Sequence, residues 1–174
     1  MAKPVSGTVT VKLPGSTAFV PIQTTTSIPV GSELDTSGGT VTLRSQATGD
    51  AVQSADFKFG RFRVTQAAKK GAFTELKLTG SLGCGKGKGR SATASKRRGR
   101  RLWGSGSGKF RTSGRKGSGA ARGTTWEVTD RCDNKTRIKS HKGRVTVRDF
   151  VRKRSLVINT GQGYLAPGPK KRKR

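Results

Sequence analysis

Short runs of alternating apolar and polar residues recur along the chain, and they predict β-strands. In Thr8-Val9-Thr10-Val11-Lys12-Leu13 the apolar side chains fall on one face and the polar ones on the other. That is the period of a half-buried strand, and the β-branched residues favour it. Thr40-Val41-Thr42-Leu43-Arg44 repeats the pattern, as do the pairs Phe57/Phe59, Phe62/Val64 and Leu76/Leu78. Alternation returns at Thr125 to Val128, Arg144 to Arg148, Leu156 to Ile158 and Tyr164-Leu165. Turn signals such as Pro14-Gly15, Gly38-Gly39 and Gly60 punctuate the runs. Strands at about ten-residue spacing predict an all-β, mostly antiparallel β-roll or sandwich, or a barrel. Thr65 to Lys70 is the only helical candidate, and it is short.

The texture changes after Gly83. Residues 84–101 are mostly Gly, Ser, Lys and Arg with almost nothing to bury, which predicts a long disordered basic insertion. The chain therefore divides into an N-terminal β block (1–83), this flexible segment (84–101), a C-terminal β block (102–166) and a basic tail (167–174). Gly7 to Lys12, Gly39 to Arg44 and Gly143 to Arg148 share one template, an echo that any Gly-led amphipathic strands would give.

Charge sharpens the picture. The 37 Lys and Arg against 9 Asp and Glu give +28, and the excess lies behind residue 68. Self-repulsion on that scale calls for a partner of opposite sign, and nucleic acid, anionic lipid and an acidic polysaccharide satisfy it equally; the partner expected is anionic cell-surface polymer or nucleic acid. The polyanion-binding candidates are Lys96, Arg97, Arg98, Arg100 and Arg101, then Arg111, Arg115 and Lys116, and finally Lys170, Lys171, Arg172, Lys173 and Arg174. Such clusters release counterions and bind with steep salt dependence and little sequence preference. Trp103, beside the first cluster, is expected to pack into the core, with stacking on a base or sugar ring as the alternative.

Catalytic chemistry is poorly provided for. The single histidine, His141, sits among Lys139, Ser140 and Lys142 and reads as an exposed turn residue. Two cysteines and one histidine fall short of a structural zinc site. Glu127, Asp130 and Asp133 lie amid Arg131, Lys135 and Arg137 and read as ion pairs. Gly80 to Gly87 follows the phosphate-loop pattern but puts Gly87 where the magnesium-binding hydroxyl belongs. No catalytic residue, metal, cofactor or small-molecule substrate is expected. No apolar run is long enough to span a membrane, and Met1-Ala2-Lys3-Pro4 leads into no signal-peptide core. Cys84 and Cys132 leave two readings open, a pair of thiols or one disulfide.

From Arg101-Leu102-Trp103-Gly104 onward the chain resembles the FecR-like domains of actinobacterial secreted and envelope proteins. The resemblance rests on Gly108 to Thr112, Ala121 to Trp126, Asp130 to Asp133, Gly143 to Asp149 and Gly161 to Leu165, in that order. Val30-Gly31-Ser32 and Gly39 to Leu43 are similar to the part that precedes it in that family. The chain departs at Ala120-Ala121-Arg122, where a β-branched residue is expected before the turn. The resemblance implies a non-enzymatic β domain outside the cytoplasm, in the cell envelope or secreted. It does not carry over signalling to a sigma factor, which needs a membrane span. Those domains also place a cysteine after the Trp126 strand, which implies a Cys84–Cys132 disulfide. The competing expectation is an intracellular, sequence-blind nucleic-acid-binding protein, with the basic tail as a targeting signal.

Overall fold

The computed structural model describes residues 1–46, 51–84 and 99–167. The basic insertion expected to be disordered falls outside these residues except at its ends, where Arg100 and Arg101 belong to a strand and not to a flexible segment. The sites at Lys96, Arg97, Arg98 and the terminal Lys170 to Arg174 also fall outside them. The described residues form strands and no helix. The N-terminal half supplies β1 (Ala2–Lys12), β2 (Val20–Pro21), β3 (Glu33–Ser45), β4 (Gln53–Lys58), β5 (Arg61–Gln66) and β6 (Thr74–Leu78). β7 (Arg100–Ser107), β8 (Phe110–Ser113), β9 (Gly117–Ala121) and β10 (Thr124–Asp130) follow. The chain closes with β11 (Thr136–Lys142), β12 (Val145–Asp149), β13 (Arg154–Ile158) and β14 (Gly163–Ala166).

All fourteen strands belong to one nearly closed, barrel-like sheet. Its order runs β13-β12-β9-β8-β6-β5-β3-β4-β7-β10-β11-β14, with β1 pairing β3 and β2 pairing β1. The two β blocks therefore share one sheet. They are stitched together by β4 against β7 and by β6 against β8, the latter a parallel pairing.

The strand period sets what is buried. In β10 the residues Thr124, Trp126, Val128 and Asp130 point inward, and the intervening side chains face out. Phe57 lies at the centre, its ring 5.8 Å from that of Phe62, 5.4 Å from Phe110 and 5.9 Å from Trp126. Edge-to-face contacts of this kind suit the quadrupoles of aromatic rings. The buried indole donates its N–H to Thr112 Oγ1 at 3.0 Å, so no polar atom of the cluster is orphaned there. Gly104 is required beside it, because a Cβ would sit 2.7 Å from the Trp126 ring and 2.9 Å from Phe57. The curl of the sheet begins at β3, which passes from β5 to β4 along one edge while β1 covers the other. At the bend Gly7 faces Gly39, with register shifts on either side, and a side chain on either glycine would strike the opposite backbone.

Three expectations are corrected. Phe59 does not share the inward face with Phe57, because the chain turns at Phe59-Gly60 and leaves Phe59 44% exposed. Trp103 is not a core residue: Leu102 and Gly104 take the inward positions and Trp103 lies half-buried on the outer face. Thr65 is no helix start, since β5 continues through Gln66. The alanine at 121, where a β-branched residue is the alternative, has a packing reason. Ala121 is buried between its register partners Phe110 and Val145, where a larger side chain would crowd the core.

Candidate polyanion-binding face

Because inward and outward side chains alternate, the outer face of β4, β7, β10 and β11 carries its own cross-strand rows. One row reads Lys58, Trp103, Glu127 and Lys139 from strand to strand. The next, two residues along, reads Arg101, Thr129 and Arg137. Directly opposed side chains in such rows have Cβ atoms about 5 Å apart and act on one another.

The aromatic groups on this face are held by cations. Lys58 Nζ stands 4.2 Å from the centroid of Trp103 and 4.9 Å from that of Phe59. The Arg101 guanidinium carbon lies 4.7 Å from Phe59. The four side chains thus form a continuous order of ring and cation, Trp103, Lys58, Phe59, Arg101. Phe59 adopts a left-handed backbone with φ of 72°, uncommon for a bulky residue. The turn that imposes it is fixed by Thr36, whose N–H and hydroxyl both donate to the Gly60 carbonyl at 2.8 Å. Gly60 presses so closely on β7 that a Cβ there would overlap the Arg101 carbonyl oxygen.

A groove of about 1300 Å³ opens beside this face, lined by Phe59, Arg61, Arg101, Arg131 and Arg137 among others. Several cations near it are already committed. Arg61 Nη2 reaches Asp35 at 2.6 Å, and Arg131 Nη2 reaches Asp133 at 3.0 Å. Burial alone would raise the Asp35 carboxyl. The N–H of Ser37 and the Arg61 guanidinium outweigh it and hold the group below the ordinary carboxylate range. For Asp133 desolvation is likewise outweighed, by Arg131 and Lys135, and its pKa is lowered. Both carboxylates are therefore ionised partners of arginine. Lys58, Arg101, Arg137 and Lys139 make no salt bridge among the described residues, and with Glu127 as the one carboxylate in their rows the face keeps a cationic excess.

The predicted cationic residues divide accordingly. Arg101 belongs to the face. Arg100 does not, because its Nε donates to buried Asp130 at 2.9 Å and its Nη1 to the Gly80 carbonyl at 3.0 Å. Arg111 lies on the other side of the barrel, over the Phe73 ring at 4.5 Å and 3.3 Å from Glu75. Arg115 and Lys116 cap the β8–β9 turn, their backbone N–H groups bound to Asp130 Oδ1 and Thr136 Oγ1. Sequence reasoning alone does not single out Lys58, Arg137 and Lys139. Their outward parity is legible from the neighbouring core residues, but their adjacency depends on strand order.

His141 is exposed at the end of β11, and among the described residues no three His, Cys, Asp or Glu side chains could hold a metal. The phosphate-loop lookalike is described only as far as Cys84. Cys84 and Cys132 are disulfide-bonded, with Cα atoms 5.7 Å apart, and Cys132 lies at the rim of the groove. No helix among the described residues is long and apolar enough to cross a membrane. No protein-family model matches the chain, and no curated protein or solved structure is significantly similar to it.

Proposed function

We propose that this chain is a non-enzymatic, FecR-like β module that works outside the cytoplasm and binds anionic polymer on the outer face of β4, β7, β10 and β11. The observation that carries the reading is the cross-strand array on that face: unpaired Lys58, Arg101, Arg137 and Lys139 around the partly exposed rings of Trp103 and Phe59. Cations spaced along strands suit a repeating anion, and the rings offer flat apolar surface to a sugar or base. The disulfide supports an oxidising compartment, where such bonds persist. FecR-like order along the chain supports the same placement.

The test is salt-dependent binding to heparin and to duplex DNA. Both should bind the wild type, with log affinity falling linearly against log salt. Replacing Arg101, Arg137 and Lys139 with Ser should lower the slope on DNA by about 2 to 3, at roughly 0.9 for each phosphate no longer neutralised. An unchanged slope would remove this face from the binding surface. A complex selective for one DNA sequence and stable at high salt would support the intracellular nucleic-acid reading instead.

A further inference from the structure

The turns at one end of the barrel form a second basic surface, which adjoins the groove at the β10–β11 turn. Backbone contacts bring them together. The Arg115 N–H donates to Asp130, the Lys116 N–H to Thr136, and the Phe150 N–H to the Lys116 carbonyl at 2.9 Å. The β8–β9, β10–β11 and β12–β13 turns therefore share this end.

At its tip the β12–β13 turn exposes two apolar side chains, Phe150 at 43% and Val151 at 40%. Their presentation is built in. Asp149, fully buried, accepts the N–H of Val151 at 2.9 Å and of Arg152 at 2.8 Å, and its second oxygen accepts the Tyr164 hydroxyl at 2.6 Å. A side chain that ties down the two N–H groups after it fixes the turn, as Asp does where the chain reverses. Lys153 completes the reversal with φ of 53°. Arg152 and Arg154 each donate to the Tyr164 hydroxyl, at 3.3 and 3.2 Å, so the same anchor gathers two guanidinium groups next to the apolar tip. Lys153 is exposed between them. The one carboxylate of the hairpin is inside, and the cations are outside.

A rigid, exposed Phe-Val pair ringed by cations has the chemistry of a bilayer interface with anionic headgroups. Apolar side chains enter the headgroup–acyl boundary, and each nearby Lys or Arg strengthens attachment to the negative surface. A soluble polyanion can use the charges and stack on the Phe150 ring but leaves the aliphatic Val151 without a role, whereas the acyl boundary takes both side chains. We infer that the β12–β13 hairpin is a membrane-docking wedge, inserting Phe150 and Val151 into the surface of a bilayer rich in anionic lipid while Arg152, Lys153 and Arg154 bind the headgroups. The protein rests on the surface through this tip.

Co-sedimentation of the full chain with vesicles tests it. Vesicles of equal parts phosphatidylglycerol and phosphatidylcholine should bind the protein, and phosphatidylcholine alone should not. Phe150→Ser with Val151→Ser keeps every charge and should weaken vesicle binding about tenfold or more, given the apolar area withdrawn from the interface. Its heparin affinity should match the wild type, and an unchanged strand circular dichroism spectrum and urea midpoint should show that the variant is folded. Phe150→Trp should gain a blue-shifted emission component on the anionic vesicles that wild-type protein lacks. Vesicle binding of the double-Ser variant within twofold of wild type, or no emission change for Phe150→Trp, would overturn the wedge. Heparin binding without vesicle binding sinks this inference alone; vesicle binding without heparin binding sinks the polymer reading alone.

Discussion

At the scale of single residues, the few carboxylates do structural work that a surplus of cations makes possible. Asp149 is the clearest case. Its complete burial would raise its pKa, but the N–H groups of Arg152 and Val151, the Tyr164 hydroxyl and the Arg152 charge hold it below the ordinary value. A carboxyl whose folded pKa is depressed stabilises the fold fully above its unfolded value, near 4. The contribution is lost as pH falls through the lower folded value. Asp149→Asn should therefore cost about 2 kcal/mol at neutral pH, the scale of charge-assisted hydrogen bonds given up. It should also flatten the stability curve below about pH 4, which urea titrations across that range would reveal. Equal acid sensitivity in mutant and wild type would assign the acid limb to other groups. Residue roles of this sort are only half legible in the sequence. The alternation around Trp126 and Val128 marks the core without help. Phe59 misleads, because a two-residue period carries through a turn whose left-handed backbone redirects the side chain. Trp103 misleads because size suggests burial, whereas Leu102 and Gly104 occupy the inward positions.

Among the elements, strands rich in Val, Phe and Leu can be read from the sequence, and strands of small residues cannot. β9 is Gly-Ser-Gly-Ala-Ala and shows no apolar alternation. It is nevertheless covered, since a Cβ on Gly119 would stand 2.9 Å from Ile138 and 3.2 Å from Val145. Its neighbours supply the apolar surface, and its own smallness is what lets them approach. The disulfide joins two elements in the same spirit. Cys84 follows β6 and Cys132 begins the β10–β11 turn, so the bond closes a sequence separation of 48 residues. Chain-entropy reasoning puts the stabilisation for such a loop at about 4 kcal/mol, with measured values commonly about 2–4. Cys84→Ser with Cys132→Ser should lower unfolding stability by that amount in urea, with its strand circular dichroism retained. A denaturation midpoint equal to that of the oxidised wild type would show that the sheet pairings already fix both ends.

For the molecule as a whole, the sequence points to an all-β fold and leaves its strand order closed to view. The crossing from β6 to β8, parallel and separated by β7 in the chain, follows from no local signal, because hydrogen-bond partners across a sheet leave no fixed spacing in sequence. That ordering is what collects Lys58, Arg101, Arg137 and Lys139 on one face from three strands, with β10 between two of them. The net charge, in contrast, is plain from composition, and it has a consequence for the fold as well as for binding. A chain of +28 repels itself in the compact state, and salt screens that repulsion over a distance of about 10 Å at tenth-molar strength. The melting temperature should therefore rise as salt is added, while affinity for heparin falls. A bound polyanion should do the same by occupying only the folded form. At a hundredfold excess over the dissociation constant the gain is about 2.7 kcal/mol, which for a chain of this size raises the melting temperature by roughly 5–10 °C. Calorimetry with and without heparin, at low salt and again at high salt, should give four curves, of which the two at high salt nearly coincide. The lowest transition belongs to the free protein at low salt, and heparin should make little difference once salt is high. A melting temperature that falls with salt would mean that attractive ion pairs outweigh the repulsion. One that ignores heparin at low salt would mean that the cationic face does not distinguish the folded chain from the unfolded one.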